Sequence, residues 1–163
     1  MANNGSIDDL KKVVAISDLP DEVIRWIYDR SDYNEYEDGE VIYRKGDPAE
    51  HLWLIPEGRF DFYMDVNGQE VLYFNFQNDT FTGGVGGLLP YSRMKVSPGY
   101  AYTIGHTKMF RLHKKYFEDL GRLSPELSRR LIGYMTERAR VFATTKLQQE
   151  KVSALGRLAA GIA

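Results

Sequence analysis

The chain has 163 residues, 43% of them hydrophobic, enough to bury one ordinary core and leave some length for an appendage. Lys and Arg total 21 against 23 for Asp and Glu, and the net charge of -2 excludes the basic footprint of a dedicated nucleic-acid binder. There is no cysteine, so disulfides, thiolate catalysis and cysteine metal sites are excluded as well.

At the N-terminus acids stand where a signal peptide needs bases. No later stretch approaches the ~20 apolar residues of a membrane span. The expectation is a cytoplasmic chain with no membrane span. From Ile7, the residues Ile7, Leu10, Val13, Val14 and Ile16 recur at helical spacing, and Ser6 before two acids predicts an N-cap. A second helix is expected after Pro20, with Asp21 and Glu22 at the positive end of its dipole and Val23, Ile24, Trp26 and Ile27 on its apolar face.

From Tyr33 to Leu112 the pattern turns to short runs rich in β-branched and aromatic residues. They are punctuated by Asp38-Gly39, Gly46-Asp47-Pro48, Glu57-Gly58 and Asn67-Gly68. This predicts an all-β stretch forming a barrel, sandwich or jelly roll. Asn67-Gly68 suits a type I′ hairpin turn, which sets Phe60, Phe62 and Met64 across from Val71, Tyr73 and their neighbours.

Helical spacing returns after Leu112. Residues 115–120 predict a short helix ended by Gly121. Ser124-Pro125-Glu126 is a start signal, with Ser as N-cap and Pro in the first turn. From Pro125 to about Ala160 the sequence reads as one long helix or two nearly continuous ones. Tyr134, Val141, Gln148, Leu155 and Ile162 fall on one heptad position and Arg138, Thr145, Val152 and Ala159 on its companion, which predicts a parallel homodimer seam.

Gly39-Glu40, Gly46-Asp47, Leu52, Ile55 and Gly58 reproduce a spaced glycine pattern, each glycine expected where a Cβ would clash as a tight roll reverses. In this the chain, over roughly residues 10–140, resembles the cyclic-nucleotide-binding domain of catabolite activators, kinase regulatory subunits and gated channels. The resemblance implies a mainly β fold with flanking helices, a double-stranded β-helix or jelly roll followed by a long C-terminal helix. It divides the chain into N-terminal helices (1–32), a β-roll sensor core (33–124) and a C-terminal signalling helix (125–163).

The family holds its ligand in a phosphate-binding cassette built on a short helix, and residues 81–97, FTGGVGGLLPYSRMKVS, correspond to it. By this resemblance Arg93 falls on the arginine that pairs with the cyclic phosphate. Amides around Gly83, Gly84, Val85, Gly86 and Gly87 at a helix start would cradle an anion. Two positions depart from the pattern. Gly84 stands where the family has a glutamate for the ribose 2′-hydroxyl, and Met94 where it has a hydroxyl residue. A ligand hydroxyl left without its acceptor costs on the order of 1–3 kcal/mol. The implied ligand is therefore a cyclic nucleotide or another phosphate-bearing small molecule, bound through its phosphate. Against this stand the plainer readings of the same residues, a solvated surface arginine and a glycine loop that is simply tight.

The stretch EKVSALGRLAAGIA, Glu150 to Ala163, resembles the first helix of a histidine kinase dimerisation domain just before its phosphoacceptor histidine. That resemblance implies a sensory input domain without catalytic residues of its own. It would belong to an ATP-dependent histidine kinase of a two-component system, with a response regulator as partner. Other readings are a degenerate docking module that binds no ligand, and the sensor part of a catabolite-activator-type regulator, which needs a helix-turn-helix that the sequence does not contain. His51, His106 and His113 lack metal-ligand spacing, and no metal site is expected.

Overall fold

The computed structural model describes residues 5–162. The sequence-based reading of the extreme N-terminus rests in part on residues 1–4, and the kinase-like segment ends on Ala163; these lie outside the described residues. Two short helices, α1 (Ile7–Leu10) and α2 (Asp21–Arg30), precede the strands β1 (Asp32–Tyr36), β2 (Val41–Tyr43), β3 (His51–Val66), β4 (Gln69–Gln77), β5 (Val85–Gly87) and β6 (Tyr100–His113). A 3-10 turn at Lys114–Tyr116 leads into α3 (Phe117–Leu123) and α4 (Pro125–Ile162). All six strands join one antiparallel sheet in the order β1-β6-β3-β4, with β2 on β6 and β5 on β3. The fold is thus the β-roll with flanking helices and a long C-terminal helix that the sequence predicts.

The first helix is shorter than its periodicity suggests. Ser6 caps it by accepting from the Asp9 amide, but the helix ends after one turn. The reason is competition for the backbone. Asn78 accepts from the Val14 amide at 2.8 Å and donates to the Lys12 carbonyl at 2.6 Å, and the Ala15 amide donates to the Gly83 carbonyl. Those groups cannot also close helical turns. Val13, Ala15 and Ile16 are nevertheless fully buried.

Asn67 and Gly68 both take positive φ, 52° and 81°, as a type I′ turn requires. Phe60 faces Phe76, Phe62 faces Phe74 and Met64 faces Val71; a bulge between Phe62 and Tyr63 shifts the predicted partners by one beyond it. At Gly58 a Cβ would meet the His106 carbonyl and the Thr107 backbone, and its φ is +86°. Gly39 and Gly46 have open space about them. The steric reason expected for every glycine of the pattern therefore holds at Gly58, while these two answer to backbone conformation alone.

Gly121 does not end α3; the helix runs through it to Leu123 and stops where Ser124 caps α4, accepting from the Leu127 amide at 3.2 Å. The helix α4 then continues for 38 residues across Gly133 and Gly156.

Two apolar clusters result. One joins the N-terminal helices, the ends of β3 and β6, and Leu127 and Leu131 of α4. The other fills the roll with Ile55, Phe60, Phe62, Tyr73, Phe76, Ala101 and Met109. A fully buried Phe or Leu contributes ~1.5–3 kcal/mol, so both ends of the domain are anchored. Arg130 ties the helix to the N-terminal segment, donating to Asp18 at 2.5 and 3.1 Å and to the Ala15 carbonyl at 3.1 Å.

The roll takes one face of α4 for itself. Phe142 packs on Tyr73, the Thr145 hydroxyl reaches the Tyr73 carbonyl at 3.5 Å, and Asn67 donates to the Ser153 hydroxyl at 2.8 Å. Arg138 and Thr145, expected in a seam between two helices, instead face the roll. The first part of that companion row is thereby corrected: its polar residues meet a sheet, not a second helix.

Candidate functional site

The site begins in the turn between β4 and β5. The Asp79 carboxylate accepts from the Thr82 amide at 2.8 Å, the Thr82 hydroxyl at 3.0 Å and the Gln77 side chain at 3.0 Å. Burial works to raise the Asp79 pKa, but these bonds with that from the Phe81 amide outweigh it and hold the group below its usual range. The chain next enters the glycine run.

No helix starts there. Gly83, Gly84 and Gly87 have φ of 61°, 77° and 68°, values that no right-handed helix contains. The amides of Gly83, Gly84 and Val85 donate to the carbonyls of Asp79, Gln77 and Thr82, and residues 85–87 form β5 against Leu52, Trp53 and Leu54. The expected cradle of exposed amides at a helix start is therefore corrected. These donors are spent inside the fold, and Gly84, Val85 and Gly86 are buried.

Beyond β5 an irregular loop, with Tyr91 at φ +73°, carries Arg93 and Met94. Arg93 is exposed and makes no hydrogen bond or ion pair among the described residues. A cavity of about 440 Å³ opens beside this loop, between the roll and α4. The predicted residues separate at this point. Gly87 and Met94 line the cavity, while Gly83, Gly84, Val85, Gly86 and Arg93 do not.

Aromatic side chains from three strands form the floor: Tyr43, Trp53, Phe62, Phe74 and Phe76. Tyr43 and Trp53 lie 4.9 Å apart between ring centres, and Phe62 stacks on Phe74 at 5.3 Å. Helix α4 supplies the opposite wall with Met135, Arg138, Ala139 and Phe142.

Arg138 is the charge in this wall. Its guanidinium carbon stands 4.9 Å from the centre of the Phe76 ring, and Nη2 reaches the Gly87 carbonyl at 3.5 Å. Part of the side chain remains accessible, but Nη1 is sealed from solvent and meets no acceptor in the protein. Burial draws its pKa down to about 10 against the pull of the Tyr43 phenol, so it stays charged at neutral pH. The Tyr43 phenol is pushed up by its own burial, opposed by the charge of Arg138 and a hydrogen bond with Ser97. Arg111 also borders the cavity, 3.9 Å from Asp32 and with Nε unpartnered.

Sequence reasoning places Arg138 in a dimer seam and so misses its position here. The available signal is Met135 and Phe142, three residues before and four after, which set a charge in the apolar stripe of the helix. Among the described residues no group of His, Asp and Glu is placed to hold a metal, and no helix is long and apolar enough to cross a membrane.

The family model of the cyclic nucleotide-binding domain matches residues 33–122. No curated protein sequence matches the chain. Among solved structures, a mutant CooA from Carboxydothermus hydrogenoformans is similar with TM-score 0.71 and 12% identity, all of each chain being covered. A mutant regulatory subunit of a cAMP-independent protein kinase A from Trypanosoma brucei, bound to cAMP in its A site, gives 0.67 and 22%, covering 87% of this chain and 49% of that one. The corresponding subunit from Trypanosoma cruzi, bound to guanosine, gives 0.64 and 18%, covering 89% and 49%. At these identities the likeness is one of fold. This chain spans about half the length of the two kinase subunits.

Proposed function

The chain belongs to the cyclic nucleotide-binding domain family, and from that premise we propose that it is the ligand-sensing regulatory input of a sensor histidine kinase. One observation supports the reading above the others. A single uninterrupted helix contains the cavity wall, from Met135 to Phe142, and the segment from Glu150 that resembles a kinase dimerisation helix. A continuous α-helix transmits a shift at one end to the other, because its backbone hydrogen bonds resist stretching and bending.

The mechanism is a shift in population between two packings of α4 on the roll. A ligand in the cavity touches both the strands and the helix, so its affinity differs between a docked and a displaced α4, and only that difference moves the equilibrium. Beyond the roll-facing part of α4, Leu147, Leu155 and Leu158 are 59%, 66% and 63% exposed and offer an apolar face to a second copy of the chain. A homodimer formed there brings two kinase helices together, and a response regulator receives the phosphoryl group. A cytoplasmic location accords with this reading.

The test is to read the coding sequence past Ala163 and assay the full protein it encodes. A His-Glu pair following this segment, an ATP-binding region after it and acid-labile phosphorylation of that histidine by ATP are the expected results. A helix-turn-helix in their place, or a stop codon, would refute the kinase assignment.

A further inference from the structure

We propose that the cavity takes a planar organic anion whose acid group is held by Arg138, the arginine of the signalling helix, and not by Arg93 of the loop. The inference rests on the ligand-sensing part of the reading above and is independent of the kinase assignment.

The unmet chemistry of Arg138 carries the argument. A guanidinium presents five N–H donors, and here Nη2 has one long contact, 3.5 Å to the Gly87 carbonyl, while Nη1 is sealed without an acceptor. A buried charged donor without a partner destabilises a fold unless something supplies the acceptor. The protein does not supply it. Asp47 and Glu50 are the carboxylates that border the cavity. Neither is bonded or ion-paired to Arg138, and the Asp47 carboxylate accepts from the Arg44 amide at 2.8 Å.

The surroundings define the rest of the ligand. Arg138 lies over Phe76, which is also stacked on Phe60, so a flat ring of the ligand would pack against the neighbouring rings of the floor, Tyr43 and Trp53. The volume, about 440 Å³, matches a molecule of mononucleotide size or smaller. The Tyr43 phenol, on the floor facing Arg138, adds a polar group near it. Arg93 reaches none of this, being exposed and off the cavity.

The placement has a consequence for signalling. An acid group on Arg138 and a ring against Trp53 bridge α4 to β3, so binding favours the docked helix through the bound molecule itself. A phosphate and a carboxylate satisfy the same guanidinium geometry, and the experiment separates them.

Calorimetry on this chain with cyclic AMP, cyclic GMP and indole-3-acetate, each beside its uncharged counterpart adenosine, guanosine or indole-3-acetamide, tests the proposal. At least one anion is expected to bind at least ~10-fold more tightly than its counterpart, the size of one good charged contact. Arg138→Gln is expected to remove that advantage, whereas Arg93→Gln changes the affinity by less than ~2-fold. Binding by the phosphates alone or by the carboxylate alone identifies the acid group. Equal binding of the neutral counterparts, loss of binding in Arg93→Gln instead of Arg138→Gln, or no binding by any of the anions overturns the proposal. A second measurement needs no ligand. Because the charge of Arg138 is unmet by the protein, Arg138→Met is expected to melt at or above the wild-type temperature, and a clear drop would mark Arg138 as a structural residue and refute its role as a receptor.

Discussion

Tyr134 of α4 packs against Gly83 so closely that a Cβ on that glycine would overlap the Cζ and hydroxyl oxygen of the phenol. The glycine turn and the long helix therefore meet at a point of van der Waals contact, one helical turn before Arg138. Gly83 also sits at φ +61°, a conformation unfavourable to L-residues. Gly83→Ala is expected to destabilise the domain by about 1–3 kcal/mol through both effects. Tyr134→Ala should recover the steric part but leave the backbone cost. Urea unfolding of the two single variants and the double variant measures the coupling; strict additivity would show that the contact does not constrain the helix.

Asp79 organises the same turn from the other side. Its carboxylate receives the Thr82 amide and hydroxyl and the Gln77 side chain. Asp79→Ala leaves these donors to water at a half-buried site, and the expected loss is on the order of 1 kcal/mol once solvent screening is allowed for. Hydrogen exchange at the amides of Thr82, Gly83 and Gly84 should rise, because the turn that presents them is no longer pinned. Unchanged exchange there would mean that the β5 pairing alone holds the glycine run in place.

The fold was legible because its signals are local. Asn67-Gly68, Ser124-Pro125 and the alternation of β-branched residues each act within a few positions, and the tertiary structure agrees with them. Where long-range partners compete, local signals fail: Asn78 captures the backbone that the α1 periodicity assigns to a helix. The site was legible only in part, for the same reason. Positions matched to a family cassette locate Gly87 and Met94 on the cavity, but whether the glycine amides are free depends on who receives them, and Asp79, Gln77 and Thr82 do. Arg138 belongs to the site through the approach of α4 to β4; the spacing of Met135 and Phe142 marks its stripe of the helix but not the strand on which that stripe packs.

His51 gives the cavity rim a pH response. It lies across from His113 of the neighbouring strand, ring centres 5.0 Å apart. Burial above all, then the charges of Arg111 and His113, hold its pKa below the ordinary 6.5 against Asp32 and Glu50. The unfolded chain therefore takes up this proton before the folded one. The His51 contribution is complete above the unfolded value and is withdrawn as pH falls from about 6.5 through the folded value. Urea midpoints are expected to decline between about pH 7.5 and about 5.5, and more steeply in the wild type than in His51→Gln. An identical slope in the two proteins would assign the response to other groups.

Were two copies to pair through α4, its outer face would set their register. Arg138, Phe142, Thr145, Gln149 and Ser153 are half-buried and recur every three or four residues, so they share the face turned to the roll. The opposite side contains Thr144, Lys151 and Leu158 at one heptad position and Gln148 and Leu155 at the next, an alternation of three and four residues that keeps one stripe in line. The row of Val152 and Ala159 lies on the flank nearer the roll. If two copies associate along the outer stripe, Leu155→Glu with Leu158→Glu places charges in the seam and should yield a monomer by sedimentation velocity, while Val152→Glu leaves the dimer intact. Anion binding at Arg138 should survive in the monomer, because a single chain already encloses the cavity between its roll and its own α4. A dimer lost with Val152→Glu and kept with the leucine pair would instead place the seam on the flank, where a partner helix would run beside the roll and bear on the cavity directly.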